Sequence, residues 1–511
     1  MDERLDREEI RHCMARFSRG IDRLDPVLLR SAFHPDATIA IGAAAAPIAV
    51  EEFVATAADQ PIARAQHFVT NHRIDLDGDR AVSEAYYLGA IVLEDGAAAP
   101  RAETEFRGGR YVDIFERREG EWRIAAREMV ADWCAMADGR YTAAHLEATG
   151  ARSHRGPGDA SYDHPPVALA TRLAAGETVD REAIRATLAL YMRGTDRLDE
   201  ELMETLVAPG FELRVGRRRI PAADFWAASR DIDRTRTATQ HSISNHYIEL
   251  AREVAYVESY LLAAAGTKEG EQPNFIELPD GAPVDELVLV GCRYSDRLER
   301  HEGRWLLASR ELLGEWSAIV DCAGMESRRA AATAGFRDRR DPSYARVADA
   351  GARFSAAEAA AREAIRDCVL RFVRGIDRCD DELIQGACWS EESALIGRVE
   401  DTVPDLSAVA HYVRNDVIAL GPERARAEAY LIVVNGHRPG DELSLEGRRV
   451  LFDFECREGE WRIVGRDHVV DWYGSADGSG LAAFLASRGE RSRRSREDPS
   501  YAGPIEVGIG S

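Results

Sequence analysis

One passage of sequence is written three times along this chain, and that repeat limits the fold more than any composition does. EEIRHCMARFSRGIDRLD (8–25) returns as EAIRATLALYMRGTDRLD (182–199) and as EAIRDCVLRFVRGIDRCD (363–380). QHFVTN (66–71) returns as QHSISN (240–245) and AHYVRN (410–415), and GRYVDIFERREGEWRIAAREMVADW (109–133) as CRYSDRLERHEGRWLLASRELLGEW (292–316) and RRVLFDFECREGEWRIVGRDHVVDW (448–472). A related tag closes each copy: DASY (159–162), DPSY (341–344) and DPSY (498–501). The first two copies lie about 174 residues apart, far beyond the roughly 20–50 of solenoid repeats, so each copy is a whole domain. A chain of 511 residues holds three such domains comfortably. Breaks fall in the Gly/Pro/Arg-rich stretches near 150–175 and 335–358, giving domains at 1–165, 175–345 and 355–505.

Within a copy, Ile10, Met14, Phe17 and Ile21 recur at helical spacing, which predicts an amphipathic helix ending near Gly20. A second helix, LLRSAF or LMETLV, follows the RLD turn. HFVTNHRIDL, AVSEAYYLGAIVL, RYVDIFER and WRIAAREMVADW read as strands, with GDR and REGE as turns. Helices followed by a run of antiparallel strands define an α+β fold in which a curved sheet wraps around helices.

Composition narrows the function classes. The hydrophobic fraction of 45% and charged fraction of 30% exclude a disordered, collagen-like or disulfide-scaffold chain. A net charge of −23 with no long Lys/Arg block speaks against nucleic acid or an anionic membrane as partner. Lys268 is the one lysine, so Schiff-base chemistry is confined to it. Eight cysteines without a CxxC pair read as reduced core residues. The charged start MDERLDREEI and the lack of any run of 18 apolar residues predict a soluble, cytoplasmic protein. GxGxxG, P-loop, HExxH and GxSxG motifs are absent in their required contexts, and His12, His34, His145 and His154 lack ligand spacing. The expectation is therefore no cofactor and no metal.

Polar residues that recur in all three copies are the candidates for chemistry. Asp22, Asp196 and Asp377 sit at the end of the first helix, where an acid opposes the helix dipole and makes a poor cap. His67, His241 and His411 follow at spacings of 45, 45 and 34 residues, each opening a strand as H-x-x-x-Asn. A carboxylate on one imidazole nitrogen would fix the tautomer and leave the other free as general base, whereas a lone strand histidine is more often a core residue. Arg127, Arg310 and Arg466 each lie five residues beyond Trp122, Trp305 or Trp461. Each is either the bidentate partner of a buried carboxylate or an electrophile steadying a leaving group or oxyanion. Tyr86, Tyr260 and Tyr430 fall 19 residues after the histidines, as core aromatics or as pocket hydroxyls binding substrate. Glu84, Glu258 and Glu428 beside them read as strand-edge salt bridges, and Trp133, Trp316 and Trp472 as packing.

Together and in order, these residues resemble the SnoaL-like branch of the nuclear transport factor 2-like fold, which includes scytalone dehydratase, bile acid 7α-dehydratase and lindane dehydrochlorinase. The resemblance covers about 125 residues of each copy. It implies three tandem cone-shaped α+β barrels, each with a deep apolar pocket holding an Asp–His dyad, and it implies catalytic roles for Asp22, His67, Arg127, Asp196, His241, Arg310, Asp377, His411 and Arg466. Five residues before the aspartate the dehydratase pattern carries Tyr and the dehydrochlorinase pattern Lys; here stand Phe17, Tyr191 and Phe372. Tyr191 alone completes a Tyr–Asp–His–Arg set, which leaves Phe17 and Phe372 as pocket walls. Copy three departs further, being 11 residues shorter between Asp377 and His411, with Val450 and Phe452 in place of Tyr111/Asp113 and Tyr294/Asp296. Its pocket is expected to be altered or closed. Because eliminases of this branch are commonly homotrimers, the resemblance also implies a fused pseudo-threefold trimer whose copies are free to diverge.

The function these features predict is a cofactor-independent dehydratase acting on a small hydrophobic cyclic substrate of steroid, polyketide or aromatic type. The same dyad serves an isomerase or cyclase equally, and a non-catalytic ligand-binding protein is the alternative outside enzymology.

Overall fold

The computed structural model describes residues 3–41, 46–93, 103–150, 159–160, 173–174, 176–216, 218–233, 235–268, 271, 286–322, 333–334, 340–342, 355–389, 408–436 and 443–478. Each copy opens on a long helix, Glu3–Arg23, Glu177–Arg197 or Ala356–Arg378. The stop expected at Gly20 is corrected, since the helix continues to Arg23. Gly20 is instead the point where the next helix crosses: a Cβ there would lie 2.7 Å from the Leu29 nitrogen, and one on Gly194 or Gly375 would lie 2.5 Å from Met203 Cγ or 2.6 Å from Ile384 Cγ1. The turn is made by Leu24, Leu198 and Cys379, whose φ values of 48°, 51° and 51° are left-handed. Asp25, Asp199 and Asp380 then cap the second helix through their side chains. The RLD motif is thus a helix stop and a helix start in three residues.

Four long strands follow in antiparallel succession: Ile62–Asp77, Arg80–Leu93, Glu103–Arg118 and Glu121–Asp138 in copy one. The corresponding strands are Arg236–Ala251, Val254–Thr267, Glu286–His301 and Arg304–Asp321 in copy two. In copy three they are Ala408–Leu420, Arg424–Gly436, Leu443–Arg457 and Glu460–Ala476. In the first two copies a further strand, Phe33–Ile41 or Val207–Val215, pairs in parallel with the last one. A third helix, Val50–Ala58 or Ala222–Asp233, follows it. The span of copy three that would hold these elements, 390–407, lies outside the described residues.

The helices fill the concave side of each sheet. In copy one Ile10, Met14, Phe17, Phe33, Phe53 and Trp122 pack there, the helical stripe meeting the inward face of the strands. The convex faces meet one another in a further cluster drawn from all three copies, including Phe68, Trp133, Leu262, Trp316, Tyr412 and Trp472. Trp133, Trp316 and Trp472 press onto Gly108, Gly291 and Gly447, where any Cβ would fall 1.9–2.1 Å from the indole. Each indole N–H donates into another copy: Trp133 to Tyr412 Oη (2.8 Å), Trp316 to Gln66 Oε1 (2.9 Å) and Trp472 to Gln240 Oε1 (3.1 Å). The last strands also touch pairwise at their ends, Asp138 with Ile319, Asp321 with Ser475 and Met136 with Asp477. All eight cysteines are free thiols. Among the described residues no helix is long and apolar enough to cross a membrane.

Candidate active site

The end of the first helix and the start of the first long strand bring the predicted aspartate and histidine together in every copy. His67 Nδ1 lies 2.6 Å from Asp22 Oδ1, and the pairs His241–Asp196 and His411–Asp377 are also 2.6 Å. The second carboxylate oxygen accepts the backbone N–H of the same histidine, at 2.9, 3.0 and 3.2 Å. With Nδ1–H donating to the carboxylate, the lone pair of the neutral ring is left on Nε2. The carboxylates are wholly enclosed, while the imidazoles keep 17%, 21% and 15% of their side-chain surface exposed. Burial by itself raises the Asp196 carboxyl, but the His241 ring, Arg197 and the His241 amide together draw it below the ordinary carboxylate range.

The arginines separate the copies. Arg127 binds Asp113 through Nε and Nη2, both at 2.7 Å, and Arg310 binds Asp296 with the same two distances. This is the bidentate pairing, wholly buried, with Nη1 of each arginine left without a partner. The Arg127 guanidinium lies over Phe17 at 4.0 Å and Tyr111 at 4.2 Å, and that of Arg310 over Tyr191 at 4.5 Å and Tyr294 at 3.8 Å. Copy three breaks the pattern. Phe452 occupies the carboxylate's place and stacks edge-on against Phe372 at 6.0 Å, while Arg466 turns to His468 Nε2 at 2.9 Å. The Tyr191 hydroxyl is buried without a partner, and burial pushes its phenol upward so that it stays a neutral donor.

Tyr86, Tyr260 and Tyr430, weighed as core aromatics or as pocket hydroxyls binding substrate, take the first role, so their place in the pocket is corrected. Tyr86 pairs across the hairpin with Thr70 and Tyr260 with Ser244, each an odd step beyond the histidine and therefore on the opposite face of the sheet. Tyr86 and Tyr260 lie in the cluster shared between copies. The charged neighbours of these tyrosines include the aspartate–arginine pair of another copy: Asp377 and Arg378 for Tyr86, Asp22 and Arg23 for Tyr260, Asp196 and Arg197 for Tyr430. The residue that does face the dyad of copy one is the next along, Tyr87, 6.4 Å from the His67 ring and stacked on Tyr111 at 4.6 Å. Leu261 and Leu431 take its place in the other cones.

Two further sets of residues escaped sequence reasoning. Opposite the histidines stand Gly89, Ala263 and Val433, and a Cβ on Gly89 would lie 3.8 Å from His67 Nε2. The position facing the imidazole thus has no side chain in copy one and a branched one in copy three. The asparagine of each H-x-x-x-Asn motif serves a different copy: Asn245 accepts from Val69 N (2.7 Å) and donates to His67 O (2.6 Å), and Asn71 does the same for Val413 N (2.7 Å) and His411 O (2.6 Å). Asn415 accepts from Ile243 N at 3.2 Å. Recurrence in all three copies was the available signal; the partner was not visible.

Behind the dyads, buried ion clusters join the copies. Arg293 is held by Asp159, Glu258 and Glu315, with Arg23 on Glu315 at 3.0 Å. Arg449 is held by Asp341, Glu428 and Asp471, with Arg197 on Asp341 at 3.3 Å. Arg110 meets Asp132 and Glu84, the latter also bound by Arg374 at 2.9 Å. Glu84, Glu258 and Glu428 are thus buried between copies rather than at a strand edge. Asp159 and Asp341 open the first two closing tags; Asp498 of the third lies outside the described residues.

A family profile described as "SnoaL-like domain" matches residues 2–128, 176–311 and 357–467, together well over half of the chain. The chain belongs to the SnoaL-like family, as three copies in tandem. No curated protein matches the sequence significantly. Solved structures similar to a single copy include the Kfla4162 protein of Kribbella flavida (21% identity, 26% of this chain and 95% of that one, TM-score 0.24). Others are a putative scytalone dehydratase of Novosphingobium aromaticivorans (16%, 26% and 90%, 0.24) and the hexachlorocyclohexane dehydrochlorinase LinA-type3 of Novosphingobium barchaimii (17%, 26% and 89%, 0.23).

Proposed function

We propose that the chain is a lyase of the dehydratase type, a fused trimer that eliminates water from a small hydrophobic cyclic substrate without a cofactor. The observation that carries this reading is the Nδ1–carboxylate contact of 2.6 Å in every copy, made by an aspartate with no solvent exposure and a histidine with some. A binding pocket has no need of such a dyad, whereas a general base does.

Copy two has the fullest set. His241 Nε2 takes the proton from a carbon made acidic by a neighbouring carbonyl, and Asp196 holds the ring and balances the imidazolium. The Tyr191 hydroxyl and Arg310 Nη1, both buried without partners, supply donors for the oxygen that collects charge. The imidazolium returns its proton to the departing hydroxyl, so one C–H and one C–O bond break and water leaves. A base so placed contributes roughly 10²–10⁴-fold; oriented donors in a dry site contribute more. Cyclic β-hydroxy carbonyl compounds, followed by mass spectrometry, test the reading: a product lighter by one water supports dehydration, and an unchanged mass means isomerisation. Equal turnover by the intact chain and His241→Gln would overturn it.

A further inference from the structure

Among the described residues, one cavity lies away from the dyads. It lies where the three copies meet, has a volume of about 250 Å³, and is lined by corresponding residues of each, among them Asn71, Asn245 and Asn415. Around it Glu8, Glu182, Glu363 and Asp416 all have cationic partners. Glu8 pairs with Arg185, Glu363 with Arg11 at 2.8 Å, and Arg366 bridges Glu182 at 2.6 Å and Asp416 at 2.8 Å. One cation remains. Arg414 lines the same cavity at 8% exposure, and it stands where the other copies have Thr70 and Ser244.

None of these carboxylates pairs with Arg414. Nη2 donates to the Ser242 carbonyl at 3.1 Å and the guanidinium lies 4.5 Å from the Phe68 ring, while Nε and Nη1 are buried with no partner. Burial alone lowers its pKa, to about 9, with no carboxylate working against it, so it is still a cation at neutral pH. The other unsatisfied polar atoms lining this cavity include Thr70 Oγ1, Ser244 Oγ, Asn415 Nδ2 and His72 Nε2. Burial pushes His72 down to about 3, so it adds a neutral ring and no charge. A buried guanidinium with two unsatisfied nitrogens and no paired carboxylate is strongly unfavourable, and a small anion beside it would supply the missing charge and acceptor.

We propose that the cavity at the junction of the three copies is an anion site with Arg414 at its floor, taking one small monovalent anion, a halide or a short carboxylate. It is separate from the dyads and does not depend on the reading of their chemistry. A symmetric trimer would carry three such arginines or none; here the single Arg414 matches a single anion.

Crystals of the full chain soaked in sodium bromide, with data collected at the bromine edge, test this directly. The expected result is one anomalous peak beside the Arg414 guanidinium, displaced by formate and lost in Arg414→Thr. Thr is the residue of copy one at this position, so the variant should fold. In solution, bromide should raise the unfolding midpoint of the intact chain more than that of the variant, by the increment saturable binding gives. A cavity holding ordered water only, a peak that persists in Arg414→Thr, or identical bromide dependence of both proteins overturns the proposal.

Discussion

Copies two and three hold the same dyad in the same geometry, 2.6 Å from imidazole to carboxylate, and differ in nearly everything that would let it act. Copy two surrounds it with an unpartnered Tyr191 hydroxyl, a carboxylate-anchored Arg310 and a small Ala263 opposite the ring. Copy three has Phe372 beneath Arg466, Phe452 where the carboxylate stood, and Val433 paired opposite the histidine. A dyad preserved without its accessories shows that the Asp–His contact also serves the fold: it ties the first helix to the sheet through the backbone N–H as well as the ring. The dyad is thus common to both cones, and the residues around it are what set the two apart.

Four measurements test this contrast and the seam that holds the copies together. The largest effect expected is kinetic: His241→Gln should lower turnover by roughly 10²–10⁴-fold, while His411→Gln should leave it within about twofold; the reverse result would move the active cone to copy three. Next, Arg310→Met removes both charge-assisted bonds to the buried Asp296 and should cost about 3–5 kcal/mol in chemical denaturation. Arg466→Met, where Phe452 stands in place of that aspartate, should cost clearly less in the same assay.

The third concerns the seam between copies one and three. Burial raises the Glu84 carboxyl, but Arg374 and Arg110 outweigh it and hold it down to about 2, from 4.5. A carboxyl lowered in the folded state contributes stability that is complete above pH 4.5 and lost as pH falls toward 2. At 1.36 kcal/mol per unit this is on the order of 3 kcal/mol. Glu84→Gln should flatten that part of the acid-unfolding curve. The smallest effect is Val433→Gly, which should uncover His411 Nε2 and speed its modification by diethyl pyrocarbonate a few-fold, with His67 of the same chain as internal reference.

The repeat made the dyads and the Arg310 pairing legible, because three copies in one chain mark the polar residues that survive divergence. Tyr86 was misplaced by a single residue, and the reason is local. A register break at Thr70/Arg73, where Asn71 adopts a φ of 48°, shifts the face-to-face count in a way no hydropathy pattern reports. Gly20 misled for the opposite cause: close helix crossing and helix termination both select glycine, and only packing distinguishes them. Asn245, Arg293 and Arg414 act across copies, so their partners depend on how the cones assemble.

The asparagine exchange also bears on the order in which the chain acquires its structure during synthesis. The strand that carries His67 is hydrogen-bonded by an asparagine 176 residues downstream, and that of His411 by one 342 residues upstream. The first cone to leave the ribosome must wait for the second before its histidine strand is held, whereas the third meets its clamp already made. Contacts this distant in sequence are slow to form, and since Asn415 in turn holds the strand of His241, the second cone waits for the third as the first waits for the second.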